Sequence, residues 1–199
     1  SYGGGRPMDV TLHLVAHRTA RTTLQKFLRA NRRALARTAC EVWGPDRTRD
    51  GFFAGLFTHP KEVSTRQTRS VRRGRGRIAI ALEAADWAGT RQIVISEENM
   101  IGGFGDNFST HCRYPHLIPR LGRFTGLFEG SRLRICLAVR SYDSYWTSAL
   151  SYSLYRGRPV PEFGDLDCLV TQPRRWQMIV QEVVGLFPQA EIIVWPFEV

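Results

Sequence analysis

Lysine is almost missing from this chain. Lys26 and Lys61 are the only two, and the other 26 of its 28 basic residues are arginine. Nucleoside triphosphatase loops of the form G-x-x-x-x-G-K-[ST] are therefore excluded, because no Gly-Lys pair occurs. Paired cysteines are missing too. Cys40, Cys112, Cys136 and Cys168 are scattered with no C-x-x-C, which excludes a disulfide framework and the common zinc ribbons. The cysteines are expected to be reduced, with Cys136 in "ICLAV" acting as a small buried hydrophobe, and the compartment to be cytoplasmic. Cys112 and His116 in "HCRYPH" are two donors, too few for zinc, and no metal site is expected. No apolar run approaches the roughly 18 residues of a membrane span. The opening "SYGGGRP" lacks the apolar core of a signal peptide. Internal repeats are also absent.

What is present suits one globular domain. A chain of 199 residues with 43% hydrophobic residues can bury a substantial core. Residues 1–9 are expected to be a flexible terminus or a remnant of cloning, and residues 10–199 the domain. Four short apolar runs read as buried strands: Val10 to Ala16, Gln92 to Ser96, Leu133 to Val139 and Glu191 to Trp195. Helical spacing links Leu24, Phe27, Leu28 and Leu35. It also links Trp176, Ile179, Val180, Val183, Val184 and Phe187, with Gln172-Pro173 as start and Pro188 as stop. Strands alternating with helices predict an α/β fold of three layers, a central mainly parallel sheet flanked by helices. The chain stops at Val199, directly after an expected strand, where a covering helix would usually follow, so a missing C-terminal part is expected.

The formal charge of +10 predicts an anionic partner. Between Ser64 and Arg77 the chain carries six arginines and one strong hydrophobe, Val71, and reads as a flexible basic loop. No recognised nucleic-acid module accompanies it, which argues against nucleic acid as partner. Beside an active site, such a loop would attract an acidic acceptor, for example a polysaccharide.

Three stretches carry candidate chemistry. "HRTARTTLQKFL" runs from a strand into a helix, where free amides and the helix dipole favour an anion. Arg18, Thr19, Arg21, Thr22 and Thr23 supply cations and hydroxyls there; alternatively Thr22 or Thr23 merely caps the helix. "VISEENMIGGF" sets Glu97 and Glu98 after a strand, at the edge where open α/β sheets gather ligands, or as first-turn acids of a helix. Alternation argues against both facing one site. "RICLAVRSYDSYWTSALSY" sets Arg140 at another strand end and Ser148 eight residues later; Arg140 could equally pair with Asp143. His13 is expected within its strand, filling space beside the site. The aromatic helix face around Trp146 is expected to form core and acceptor-pocket wall.

In order and separation, these stretches resemble the sulfotransferases that use 3′-phosphoadenosine 5′-phosphosulfate (PAPS). Bacterial members often read approximately H-x-G-x-H-K-T-G-T-T-S-L-Q at the first site, matched by "LHLVAHRTARTTLQ", which retains His13, His17, Thr19, Thr22, Leu24 and Gln25. "VISEEN" matches their second stretch, and Arg140 with Ser148 matches their 3′-phosphate motif. The resemblance implies a P-loop sulfotransferase-like fold and a loop Arg18, Thr19, Ala20, Arg21, Thr22 and Thr23 holding the 5′-phosphosulfate. It further implies Arg18 in place of the family's charge-stabilising lysine, and Arg140 and Ser148 on the 3′-phosphate. Glu98, or alternatively Glu97, would be the base for an acceptor hydroxyl or amine on a small molecule or polysaccharide. Two departures stand out. Ala20 replaces the loop glycine and Arg21 the first threonine, and alanine at a φ > 0 position is strained by roughly 1 kcal/mol. The alternative expectation is a non-catalytic protein of the same fold that binds nucleotide weakly, or a polyanion or protein partner.

Overall fold

The computed structural model describes residues 7–14, 21–60, 64–159 and 161–197; the Arg21 side chain lies outside the described residues as well. Its centre is a five-stranded, all-parallel sheet: β1 (Asp9–His13), β2 (Cys40–Trp43), β3 (Gln92–Ser96), β4 (Arg132–Val139) and β5 (Glu191–Pro196), in the spatial order β2-β3-β1-β4-β5. Among the described residues the flanking helices are α1 (Arg21–Ala30), α2 (Arg32–Arg37), α3 (Pro45–Arg47), α4 (Thr65–Trp87), α5 (Phe104–Ser109), α6 (Leu117–Leu121), α7 (Tyr142–Tyr155), α8 (Phe163–Thr171) and α9 (Trp176–Leu186). This is the expected three-layer α/β fold. None of these helices is long and apolar enough to cross a membrane.

The four expected strands form, although residues 15–16 of the first lie outside the described residues. Val10, Leu12, Ile93, Ile95 and Ile135 are fully buried between the helical layers, as the continuous apolar runs require. β2 was not expected from sequence. Its four residues CEVW alternate poorly, and tertiary contacts hold them: Trp43 is fully buried, its Nε1 donates to Glu41, and the Arg47 guanidinium lies 4.5 Å from the Trp43 ring. At the far edge β5 is mostly exposed, with Ile193 and Val194 reaching solvent.

Residues 65–77 correct the expected basic loop: they are the first half of α4. Ser64 caps the helix by accepting from the Gln67 amide at 3.2 Å. An apolar stripe runs through half-buried Val71 and buried Gly74, Ile78, Leu82 and Ala85, and most of it lies beyond Arg77. Gly74 serves close approach rather than flexibility, since a Cβ there would stand 2.7 Å from the Ala54 carbonyl oxygen. Two of the arginines anchor the helix: Arg75 donates to the Arg123 carbonyl, and Arg77 donates to those of Phe52 and Ala54.

Two smaller expectations also change. α9 begins at Trp176 and buries Trp176, Ile179 and Val183, with Phe187 just beyond its end, but Val184 is exposed. On α1, Leu24 and Phe27 are exposed rather than packed. The four cysteines are free; Cys40 is the buried one, and Cys136 is only half-buried.

Candidate functional site

The strand order fixes where ligands can gather. The chain leaves β1 towards the β2 edge and leaves β4 towards the β5 edge, so the carboxyl ends of β1 and β4 flank a topological switch point. β1 pairs directly with β3 and β4, with His13 opposite Ser96 on one side and Cys136 on the other. The three stretches singled out in the sequence therefore leave three neighbouring strands at one edge of the sheet.

At the end of β3 the backbone changes course. Glu97 is extended, at φ −151° and ψ 112°, whereas Glu98 opens a 3-10 turn, Glu98–Met100. This change interrupts alternation, and both carboxylates reach Arg49. Arg49 Nη2 stands 2.9 Å from Glu97 Oε1 and 2.5 Å from Glu98 Oε1, while its Nε donates to Glu97 Oε2 at 3.1 Å. Burial works against the Arg49 charge. The Glu97 hydrogen bond and the two carboxylate charges outweigh it and push the Arg49 pKa up.

The two glutamates are used differently. Glu97 is fully buried and accepts from Thr48 Oγ1 at 2.5 Å, from Arg49, and from the Asn99 amide and side chain at 3.1 and 2.9 Å. Its oxygens are committed to joining the turn after β2 to the turn after β3, and its cap on the Asn99 amide is the first-turn role weighed from sequence. Glu98, 3% exposed, faces α1 instead, where Gln25 Nε2 donates to its Oε2 at 3.3 Å.

Gln25 also donates to the Ser96 carbonyl at 3.3 Å, tying the first turns of α1 to the end of β3. Ser96 Oγ in turn lies 2.9 Å from His13 Nδ1. Burial drives the His13 pKa down to about 4, against the opposing charge of Glu98, so its imidazole is neutral at physiological pH. Its ring stacks 6.3 Å from Trp195 on β5.

Thr22 and Thr23 stand exposed in the first turn of α1, whose backbone begins at Arg21. Thr22, Gln25 and Ser96 share a cavity of about 170 Å³ with Lys26, Arg29 and Arg32. That volume holds a phosphate-sized group but is below the roughly 300 Å³ of ordinary ligand pockets. Its arginine Arg32 is engaged by Asp46 through two hydrogen bonds, at 2.6 and 2.9 Å. His17, Arg18, Thr19 and Ala20 lie outside the described residues.

Arg140 ends β4. Its carbonyl accepts from Trp176 Nε1 at 2.6 Å, and its guanidinium lies 5.4 Å from the Phe197 ring. The neighbouring Asp143 carboxyl is held below its ordinary pKa first by the Ser141 hydroxyl and then by the backbone of its own turn, with the Arg140 charge a smaller cause. Ser148 sits half-buried in the second turn of α7.

Sequence reasoning missed Thr48 and Arg49. Both follow β2, and without that strand nothing in "PDRTRD" marked a segment at the sheet edge. In comparisons with known proteins, no family model matches the chain and no curated protein is significantly similar to it.

Proposed function

We propose that the protein transfers a sulfuryl group from PAPS to a hydroxyl or amine of an acceptor. The observation that carries this reading is the convergence of three segments, each resembling a sulfotransferase motif, at the carboxyl ends of the adjacent strands β3, β1 and β4. In this scheme the acceptor oxygen or nitrogen attacks sulfur in line. A new bond to sulfur forms, the bond from sulfur to the bridging oxygen of the 5′-phosphate breaks, and 3′-phosphoadenosine 5′-phosphate leaves. Glu98 takes the acceptor proton, since Glu97 is committed to its buried donors. Arg18 and the hydroxyls of Thr19, Thr22 and Thr23 stabilise charge on the leaving phosphate, with Ala20 and Arg21 completing the loop. Arg140 and Ser148 hold the 3′-phosphate, a task suited to arginine's planar fork.

A second, non-catalytic reading has one observation in its favour: Glu98 already forms an ion pair with Arg49. A carboxylate so paired is a weaker base, and the protein would then hold a nucleotide or another anion without turnover.

Calorimetric titration with 3′-phosphoadenosine 5′-phosphate tests the site, with ATP and an Arg140→Ala variant as controls. The expected result is binding that favours the 3′-phosphorylated nucleotide and weakens about ten-fold or more in the variant, as loss of a charge-assisted contact predicts. No binding at millimolar ligand, or equal binding of ATP, would sink the proposal.

A further inference from the structure

A second cavity, of about 780 Å³, lies between α7 and α8. That is within the range of about 300–1000 Å³ typical of sites for small organic ligands. Arg113, Arg175, Tyr142, Trp146, Leu166 and Leu169 contribute to its wall.

Arg113 is the feature that needs an explanation. It is 1% exposed, yet among the described residues no carboxylate pairs with it. Two other arginines with little exposure are neutralised, Arg120 by Asp106 at 3.0 Å and Arg174 by Glu182 at 2.5 Å, while half-buried Arg123 is satisfied by the carbonyls of Leu56 and Thr58. Arg113 instead donates through Nη2 to the Arg174 carbonyl, while its buried Nε has no acceptor among the described residues. Its guanidinium lies 4.2 Å from the Tyr142 ring and 5.4 Å from that of Trp176. Burial pushes its pKa down, which is the signature of an uncompensated cation.

Two other groups in the same wall reinforce the asymmetry. Trp146 is 6% exposed, and its buried Nε1 also has no acceptor among the described residues. Exposed Arg175 places a second guanidinium 5.2 Å from the same Tyr142 ring. The wall thus offers two cations and an excess of N–H donors. The opposing charge on it is Asp143, whose carboxylate is held by the Ser141 hydroxyl and its own turn. Leu150, Leu166 and Leu169 supply apolar surface beside these donors.

We propose that this cavity binds a small amphipathic organic anion, its negative group against Arg113 and Arg175 and its apolar body against Tyr142, Trp146 and the leucines. The site is separate from the proposed 3′-phosphate contact. Ser148 is not in its wall, and two residues along α7 from Trp146 is a rotation of about 160° to the opposite side of the helix. The proposal does not rest on sulfuryl transfer.

The test is calorimetric titration of the full chain with 2-naphthoate, and with neutral 2-naphthamide as its isostere. Naphthoate is expected to bind with Kd below about 1 mM and naphthamide about ten-fold more weakly or worse, the ratio expected for a charge-assisted contact. Arg175→Met, at an exposed position, should weaken naphthoate about five-fold or more and leave naphthamide unchanged. Leu166→Glu, which adds a carboxylate to a partly exposed part of the wall, should abolish naphthoate binding. Saturating 3′-phosphoadenosine 5′-phosphate should leave naphthoate affinity as it was. Absence of saturable heat with naphthoate, equal affinity for the amide, indifference to both substitutions, or competition by the nucleotide would each overturn the proposal. Failure of the protein to bind nucleotide leaves this titration fully readable, so the two proposals can fail separately.

Discussion

Glu97 and Glu98 are neighbours in sequence and share one arginine, but Glu97 is also held by Thr48 and by the Asn99 amide and side chain. Replacing Glu97 by Gln removes an acceptor for Thr48, Arg49 and the Asn99 amide at a fully buried position. A loss of about 1–3 kcal/mol in urea unfolding is expected, the usual cost of leaving buried donors unpaired. Glu98→Gln keeps the Arg49–Glu97 pair and should cost less than half as much. Equal losses would mean that both carboxylates share one structural task, which would remove the case for Glu98 as the base. The residue types were legible in the sequence, but their joint orientation was not. It depends on the change from strand to 3-10 turn between them and on an arginine 48 residues upstream of Glu97 in the chain.

Among the elements, α4 shows what a local window hides. From Ser64 to Arg77 the apolar content is too low for a packed helix, and Gly74 and Gly76 look like breakers. The helix forms because its stripe continues through Ile78, Leu82 and Ala85, and because Gly74 admits the Ala54 carbonyl. The two glycines therefore predict opposite outcomes. Gly74→Ala is expected to destabilise by about 1–3 kcal/mol, the range for overpacking against backbone. Gly76→Ala, where an added Cβ meets nothing within 4 Å, should stabilise by up to about 1 kcal/mol. Thermal melts of the two variants decide this, and a shared sign would show that the Gly74 contact is not tight. β2 failed for a related reason: four residues with one central aliphatic carry no periodicity, and pairing with β3 defines them. The long runs of β1, β3, β4 and β5 were readable because strands of a covered parallel sheet are apolar on both faces.

For the whole molecule, acid sensitivity follows from His13. Its folded pKa of about 4 lies below the ordinary value of 6.5, so between these values the unfolded chain binds more protons. Stability is then fully present above about pH 6.5 and falls as pH drops towards 4, by on the order of 3 kcal/mol if the full shift is realised. Urea midpoints across this window should decline in the parent protein and decline less in His13→Asn, after allowance for that variant's lower baseline. A parallel decline in both would locate the acid response elsewhere. The parallel sheet also has a consequence for how the chain is made. Asp9 of the first strand pairs with Gln92 and Arg132, which follow it by 83 and 123 residues. At about 5–20 residues per second, synthesis leaves β1 without either neighbour for several seconds at least. No local hairpin can shield it, so contacts of high sequence separation must form late and slowly. The strand at the centre of the finished sheet is the one that waits longest on the ribosome.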